Sequence, residues 1–256
     1  MRDVLVLCYH AVSKRWPAEL SVAPDAFDAQ IEHLLRRGYR ATTFSHAVEG
    51  RDGGRQLAIT FDDGFQSVQD LAFPILERLG VPATLYVPTS FMESRGQLAW
   101  PGIDEWKGTE HEAELANMTW DGVRELRDAG WEIGAHTHTH PRLTQVDDAQ
   151  LADELQRSRA ICEKRLGERC RSIAYPYGDV DGRVIAAARE AGFETAATLP
   201  ASAERVQPLA WPRVGVYRYE NLSRVKRHCS PTLRRVQMTP LWPLASAAWR
   251  RTRRAA

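Results

Sequence analysis

Three histidines stand at alternate positions in the stretch GAHTHTHPRL, residues 134–143: His136, His138 and His140, with Pro141 closing the run. Imidazole is the commonest nitrogen ligand of zinc-like metals. The preceding WEIGA reads as a strand, which together with Pro141 argues against the i, i+4 pairing by which a helix presents two ligands. A pair drawn from the three must therefore converge through a turn. The bland alternative is a polar turn in which one histidine caps the backbone, and three imidazoles in five residues at a strand end weigh against it. A second candidate is FDDG, residues 61–64, at the end of the strand-like LAIT. Consecutive side chains on a strand point to opposite sides, so Asp62 and Asp63 can divide the work, one ligating a cation and the other facing a substrate. Alone, Asp-Asp-Gly is also an ordinary solvated turn. Two histidines and one aspartate together make an N₂O set with coordination positions left open for water and substrate, the feature that separates catalytic from structural metal sites.

Such side chains need elements to carry them, and one pattern recurs along the chain. LLRRGYRATTF, LERLGVPATLYV, LRDAGWEIGAH, CEKRLGERCRSIAYP and AREAGFETAATL each run from a helix-like segment through a glycine into an apolar strand. Glycine just past a helix supplies a left-handed cap, and basic side chains suit the last turn. The segments DAFDAQIEHLLRR, DLAFPILERL, TWDGVRELRDA and DDAQLADELQRSRAICEKRL place apolar residues at helical spacing behind an Asp or Thr cap. Alternating helices and strands predict a parallel sheet buried on both faces, as a (β/α) barrel or a doubly wound sheet, and both architectures put function at the C-terminal ends of the strands. Residues 89–118 form an insertion longer than ordinary connections, expected to face substrate.

Length and charge narrow the class. A chain of 256 residues suits one large α/β domain. Residues 1–220 hold 25 of the 34 basic and all 33 acidic side chains, a net −8, and nine basic residues follow Glu220. In MRDVLVLCYHAVS, Asp3 interrupts the charge pattern of an export signal and the short apolar run reads as a buried strand, so a cytoplasmic address is expected. No apolar stretch approaches the roughly 20 residues of a membrane span. Cys8, Cys162, Cys170 and Cys229 lack CxxC spacing, so reduced, buried thiols are expected.

TFDDG (60–64), HTHTH (136–140) and AYPYG (174–178), in this order and spacing, resemble the NodB-homology polysaccharide deacetylases, carbohydrate esterase family four. The resemblance runs from LCYHAVS to AWPRVGV. It implies a distorted (β/α)7 barrel and a metal-dependent hydrolase that removes acetyl groups from N-acetylated sugars, in exopolysaccharide or cell-envelope glycan biosynthesis. It also implies that Asp62 is the general base, that Asp63, His136 and His140 ligate the metal, and that His138 occupies a variable position outside the ligand set. Thr137 is expected to hydrogen-bond near the ligands, and Tyr177 stands where the family holds the oxyanion with a backbone N–H. Zinc is the expected ion, with cobalt, nickel and iron compatible with the same donors.

Two departures from the family pattern matter. Ala174 stands where many members have an arginine, and Arg213 in WPRVGV is the candidate to orient Asp62 instead. The usual late Leu-x-His acid motif is missing. Resemblance to the poly-N-acetylglucosamine deacetylase branch suggests that His10 protonates the departing amine if the barrel brings it opposite Asp62, and His228 is its late rival. Tyr175 and Pro176 are expected to contact substrate. Of the tryptophans that could offer a flat face to a sugar, Trp211, Trp100 and Trp106, the expectation falls on Trp211.

Residues 1–230 are thus expected to form the catalytic domain and residues 231–256 a basic tail. Arg pairs near Leu, Met and Trp suit an anionic membrane surface, implying a lipid-linked or nascent glycan at the inner face of the membrane, with a disordered end as the alternative. Nucleic acid is not expected, since no stacking groove or recognition motif accompanies the charge. Rival readings are a deformylase or O-acetyl esterase of the same fold, and a glycan-binding protein that has lost turnover. Oligomeric state leaves no trace in the sequence.

Overall fold

The computed structural model describes residues 3–50, 53–199, 206–220, 225, 226 and 229. His228 and the basic tail fall outside these residues. The apolar run after Asp3 forms β1 (Asp3–Tyr9), whose last five residues are buried. α1 (Pro24–Arg36), β2 (Arg40–Thr42), α2 (Phe44–Glu49), β3 (Arg55–Phe61), α3 (Phe73–Leu79), β4 (Thr84–Val87), α4 (Trp120–Asp128), β5 (Glu132–Ala135), α5 (Asp148–Leu166), β6 (Ser172–Ala174), α6 (Gly182–Glu190) and β7 (Thr195–Thr198) follow in alternation. The last strand comes in two pieces, β8 (Trp211–Pro212) and β9 (Val214–Gly215), separated by Arg213.

Every strand pair of the main sheet is parallel, in the order β8-β7-β6-β5-β4-β3-β1-β9. Trp211 pairs with Ala197 on β7, and three residues later Val214 pairs with Leu7 on β1. One five-residue segment therefore joins the two ends of the sheet and closes it into a barrel. β2 pairs with the first half of β3 and β4 with its second half. The C-terminal rim consequently has seven staves and the N-terminal end gains an eighth, which is the distortion of this (β/α)7 barrel.

Alternation along the staves sends Val6, Ala58, Tyr86, Ala174 and Ala197 into the barrel, where Phe44, Ala47 and Val48 of α2 plug its N-terminal mouth. A methyl group on Gly134 would stand 2.5 Å from the Tyr86 ring, so glycine is what lets that ring cross the interior. The larger apolar cluster lies between staves and helices.

All five glycines of the repeated pattern, Gly38, Gly80, Gly130, Gly167 and Gly192, adopt positive φ. The expected N-caps are realised only in part. Asp147 accepts the Gln150 N–H at the start of α5, whereas Thr119 makes no side-chain cap bond for α4. The segment DLAFPILERL is not one α-helix either: residues Val68–Ala72 form a π-helical turn before α3. Pro74 has no N–H to continue an α-helical ladder, which accounts for the break. Among the described residues no helix is long and apolar enough to cross a membrane, and all four cysteines are free and buried.

Candidate active site

At the exit of β3 the chain turns through Asp63, at φ 75°, and at the exit of β5 it turns through Thr137 and His140, both at φ 65°. Left-handed backbone at three non-glycine residues costs strain that surrounding bonds must hold in place. Thr137 Oγ1 accepts the His140 N–H (3.0 Å), and the first residues of the insertion donate from the Thr89 N–H to Thr137 O (3.2 Å) and from the Ser90 N–H to His138 O (3.0 Å). From the other side Glu154 of α5, buried to 3% exposure, accepts the His138 N–H (2.7 Å), the Thr139 N–H (2.8 Å) and the Thr139 hydroxyl. Sequence reading missed Glu154. The available signal was an acidic residue inside the buried stripe of α5, beside Leu151, Leu155 and Ser158.

This turn aims two imidazoles at one carboxylate. His136 Nε2 and His140 Nε2 each lie 3.3 Å from Asp63 Oδ1, all three side chains are buried, and their ligand atoms lie within 4.8 Å of one another. His136 Nδ1 stands 2.8 Å from Ala174 O. A carbonyl can only accept, so the proton sits on Nδ1 and the Nε2 lone pair faces Asp63. Asp63 Oδ1 finds no hydrogen-bond partner in this position. Lone pairs facing one another in a buried site require a proton or a cation between them, and the charges respond accordingly. Burial pushes the Asp63 carboxyl up, but the His136 and His140 imidazoles held against it bring it well below the usual carboxylate range. Burial lowers His136, yet the neighbouring Asp62 and Asp63 raise it above an ordinary histidine. For His140 burial dominates and the net direction is down. Donors about 2.0–2.1 Å from a shared ion at tetrahedral angles stand roughly 3.3–3.4 Å apart, which matches the measured spacing, so the donor set fits a zinc-like ion.

Asp62 points to the barrel interior and meets Arg213, which is held at the break between β8 and β9 by its N–H to Thr198 O. Arg213 Nη1 donates to Asp62 Oδ1 and Nη2 to Oδ2, both at 2.7 Å, and Nη1 also reaches Thr60 Oγ1 at 2.9 Å. Asp62 is 3% and Arg213 1% exposed. Burial raises the Asp62 carboxyl, but the charge and hydrogen bonds of Arg213 together with the neighbouring His136 and His10 bring it below its ordinary value, so the group stays ionised. Ala174 leaves the third motif without a charged group there, and the guanidinium arrives from the closing strand instead.

His10 comes from the exit of β1, and one of its ring nitrogens lies within 4.8 Å of an Asp62 oxygen and of Cys8 Sγ. It therefore sits beside Asp62, not opposite it, because β1 and β3 are neighbouring staves. Tyr177 adopts φ 60° in the turn Pro176–Gly178, whose hydrogen bonds run from the Gly178 N–H to Tyr175 O and from the Asp179 N–H to Pro176 O, leaving the Tyr177 N–H unspent. The Tyr177 ring stands 4.9 Å from His140 and carries Arg142 on its face at 4.0 Å.

Three residues expected to contact substrate pack against the protein itself. Tyr175 is fully buried with its hydroxyl donating to Leu209 O (3.0 Å), so its ring belongs to the core. Pro176 is buried and shapes the turn. Trp211 faces inward two residues before Arg213 and packs against the cluster at the N-terminal plug, away from the rim that bears the histidines. The tryptophan at the site is Trp100, stacked on His140 with ring centroids 4.1 Å apart. Trp106 instead packs edge-on against Trp16. His138, the third histidine, is held by Thr89 Oγ1 at 2.9 Å from its Nδ1 and takes no part in the donor set.

Comparison with known proteins places these features. Residues 49–196 match the family model described as polysaccharide deacetylase. The poly-beta-1,6-N-acetyl-D-glucosamine N-deacetylase of Staphylococcus epidermidis is 24% identical over 224 residues, covering 77% of this chain and 72% of that protein. Among solved structures, the Streptococcus pyogenes deacetylase PplD in complex with acetate superposes with a TM-score of 0.73 at 24% identity, covering 90% of this chain and 99% of that one. IcaB from Ammonifex degensii does so with a TM-score of 0.70 at 23% identity, covering 90% and 97%.

Proposed function

Because the chain belongs to the polysaccharide deacetylase family, we propose that it is a metal-dependent hydrolase removing N-acetyl groups from the N-acetylated sugars of a polysaccharide or lipid-linked glycan. The observation that carries this reading is the convergence of Asp63, His136 and His140 at metal-ligand spacing beside an Asp62 kept ionised by Arg213. The S. epidermidis relative makes poly-β-1,6-linked N-acetylglucosamine the first substrate to test.

Asp63, His136 and His140 hold the ion, which when bound polarises the acetamide carbonyl and lowers the pKa of water towards about 7. Asp62 accepts the proton of the attacking water, and Arg213 fixes both of its oxygens so that one orientation is presented. The Tyr177 N–H donates to the carbonyl oxygen as negative charge develops there. His10 lies beside Asp62 instead of opposite it as expected, and from that position it is proposed to supply the proton that the departing sugar amine needs. Trp100 and Tyr177 both pack on His140 and help keep it buried. The basic tail supplies a peripheral contact with an anionic membrane. Deleting residues 231–256 is expected to reduce sedimentation with anionic vesicles while leaving deacetylation of soluble oligosaccharide intact.

The test is acetate release by the zinc-loaded full chain from β-1,6-linked N-acetylglucosamine oligomers, with an O-acetylated sugar as the parallel substrate. Release from the amide supports the proposal. Turnover confined to the ester would reassign the enzyme as an O-acetyl esterase.

A further inference from the structure

Next to the Asp63–His136–His140 set lies a second group of donors of different chemistry. Cys8, His10 and Asp62 each offer one ligand atom, and the three atoms lie within 4.8 Å of one another. Cys8 is fully buried at an inward position of β1 with Sγ 3.5 Å from Asp62 Oδ2, and His10 Nδ1 is a buried atom without a hydrogen-bond partner. A carboxylate oxygen has two lone-pair directions. Arg213 takes one on each oxygen of Asp62, and the second on Oδ2 faces the Cys8 thiol. Displacing the thiol proton would open that direction to a cation. An ion about 2.3 Å from sulfur and about 2.1 Å from oxygen at a tetrahedral angle sets the two donors roughly 3.6 Å apart, close to the observed separation. Thiolate, imidazole and carboxylate together form the donor set that zinc and cadmium favour.

We propose that Cys8, His10 and Asp62 form a second, inhibitory site for a thiophilic divalent ion, Zn²⁺ or Cd²⁺. This rests on the function proposed above, in which Asp62 is the base and His10 the proton donor, so an ion held by both removes them from the reaction together. Binding exchanges the Cys8 S–H bond for a sulfur–metal bond and releases the proton to solvent, with no change of oxidation state. Arg213 opposes a cation at this position, and the thiolate charge created on binding offsets part of that repulsion. The second site is therefore the weaker of the two and fills only when metal is in excess.

The full chain carrying one equivalent of zinc is titrated with Cd²⁺, while bound metal per chain, the thiolate-to-cadmium absorption band and acetate release are followed together. Wild type is expected to take up a second ion with the band appearing as activity falls. Cys8→Ser, which keeps a hydrogen-bond donor towards Asp62 but lacks the soft ligand, is expected to lose the second ion and the band. The metal concentration giving half-inhibition should rise in this variant by about tenfold or more, since even the loss of an outer-shell partner costs a metal site about that much. Cys8→Ala repeats the measurement should serine disturb folding. Uptake of a single ion by wild type, or a band that survives in both variants, overturns the proposal. Stoichiometry and absorption need no turnover, and His140→Ala reports the first site separately, so failure here is distinguishable from failure of the functional reading.

Discussion

Replacing Arg213 with methionine, which has a similar reach and no charge, leaves the Asp62 carboxylate buried at 3% exposure without its two 2.7 Å partners. Removing one member of a buried ion pair costs about 3–5 kcal/mol. For a domain of this size each kcal/mol lowers the melting temperature by about 2–4 °C, so the metal-free variant should melt roughly 6–20 °C below wild type by scanning calorimetry. The pH dependence has a definite sign. In wild type burial pushes the Asp62 carboxyl up, and Arg213, with His136 and His10, holds it below its ordinary value. A carboxyl depressed in the folded state adds stability above its unfolded pKa, about 3.9, and loses it as pH falls through the folded value. Without Arg213, burial is the dominant influence, the carboxyl rises, and this contribution reverses. A base works only when ionised, so the acid limb of kcat/KM should move to higher pH in whatever activity the variant keeps. A variant melting within 2 °C of wild type, roughly the effect of a single kcal/mol, with an unmoved acid limb would refute the clamp.

Other perturbations reach the site from further away. Glu154→Leu strands the His138 and Thr139 N–H groups, and zinc affinity measured by competition with a chelator should fall about 10–100-fold, whereas Glu154→Gln, which keeps an acceptor, should fall less. Gly134→Ala brings a methyl group to 2.5 Å from the Tyr86 ring and 2.6 Å from Ser172 Oγ, so denaturant unfolding should show a loss of about 1–3 kcal/mol. Tyr175→Phe removes only the bond to Leu209 O, and is expected to cost about 1 kcal/mol of stability with acetate release unchanged, since this ring faces the core.

Local pattern put Asp62 and Asp63 at one strand exit and three histidines at another, but which of them converge came only from the family resemblance, because Asp63 meets His136 and His140 across more than 70 residues of chain. Strand exits and the glycine-ended helices follow from local pattern, and they fixed the barrel's C-terminal rim as the place to look. Arg213 was legible for a different reason: the resemblance calls for an arginine near Asp62, Ala174 cannot supply it, and Arg213 is the substitute that WPRVGV offers. The aromatic contacts were not legible. Trp211 and Trp100 differ in whether they face the plug or the rim, and that depends on the register of the closing strand and on the path of residues 89–118, neither of which local spacing encodes. Glu154 was hidden because its partners lie 15 and 16 residues earlier along the chain. The placement of His10 beside Asp62 follows from β1 and β3 being adjacent staves, a fact of topology that the isolated motifs do not contain.

Asp63, His136 and His140 are proposed to hold a metal on which hydrolysis depends. The most direct measurement is zinc bound per chain beside acetate release from N-acetylglucosamine oligomers, for chelator-stripped and reconstituted wild type, Asp63→Ala and His140→Ala. The first equivalent of zinc should restore activity to stripped wild type, and both variants should lose tight zinc binding and acetate release together. Acetate release that survives chelation, or variants that still bind zinc as tightly as wild type, would contradict this proposal.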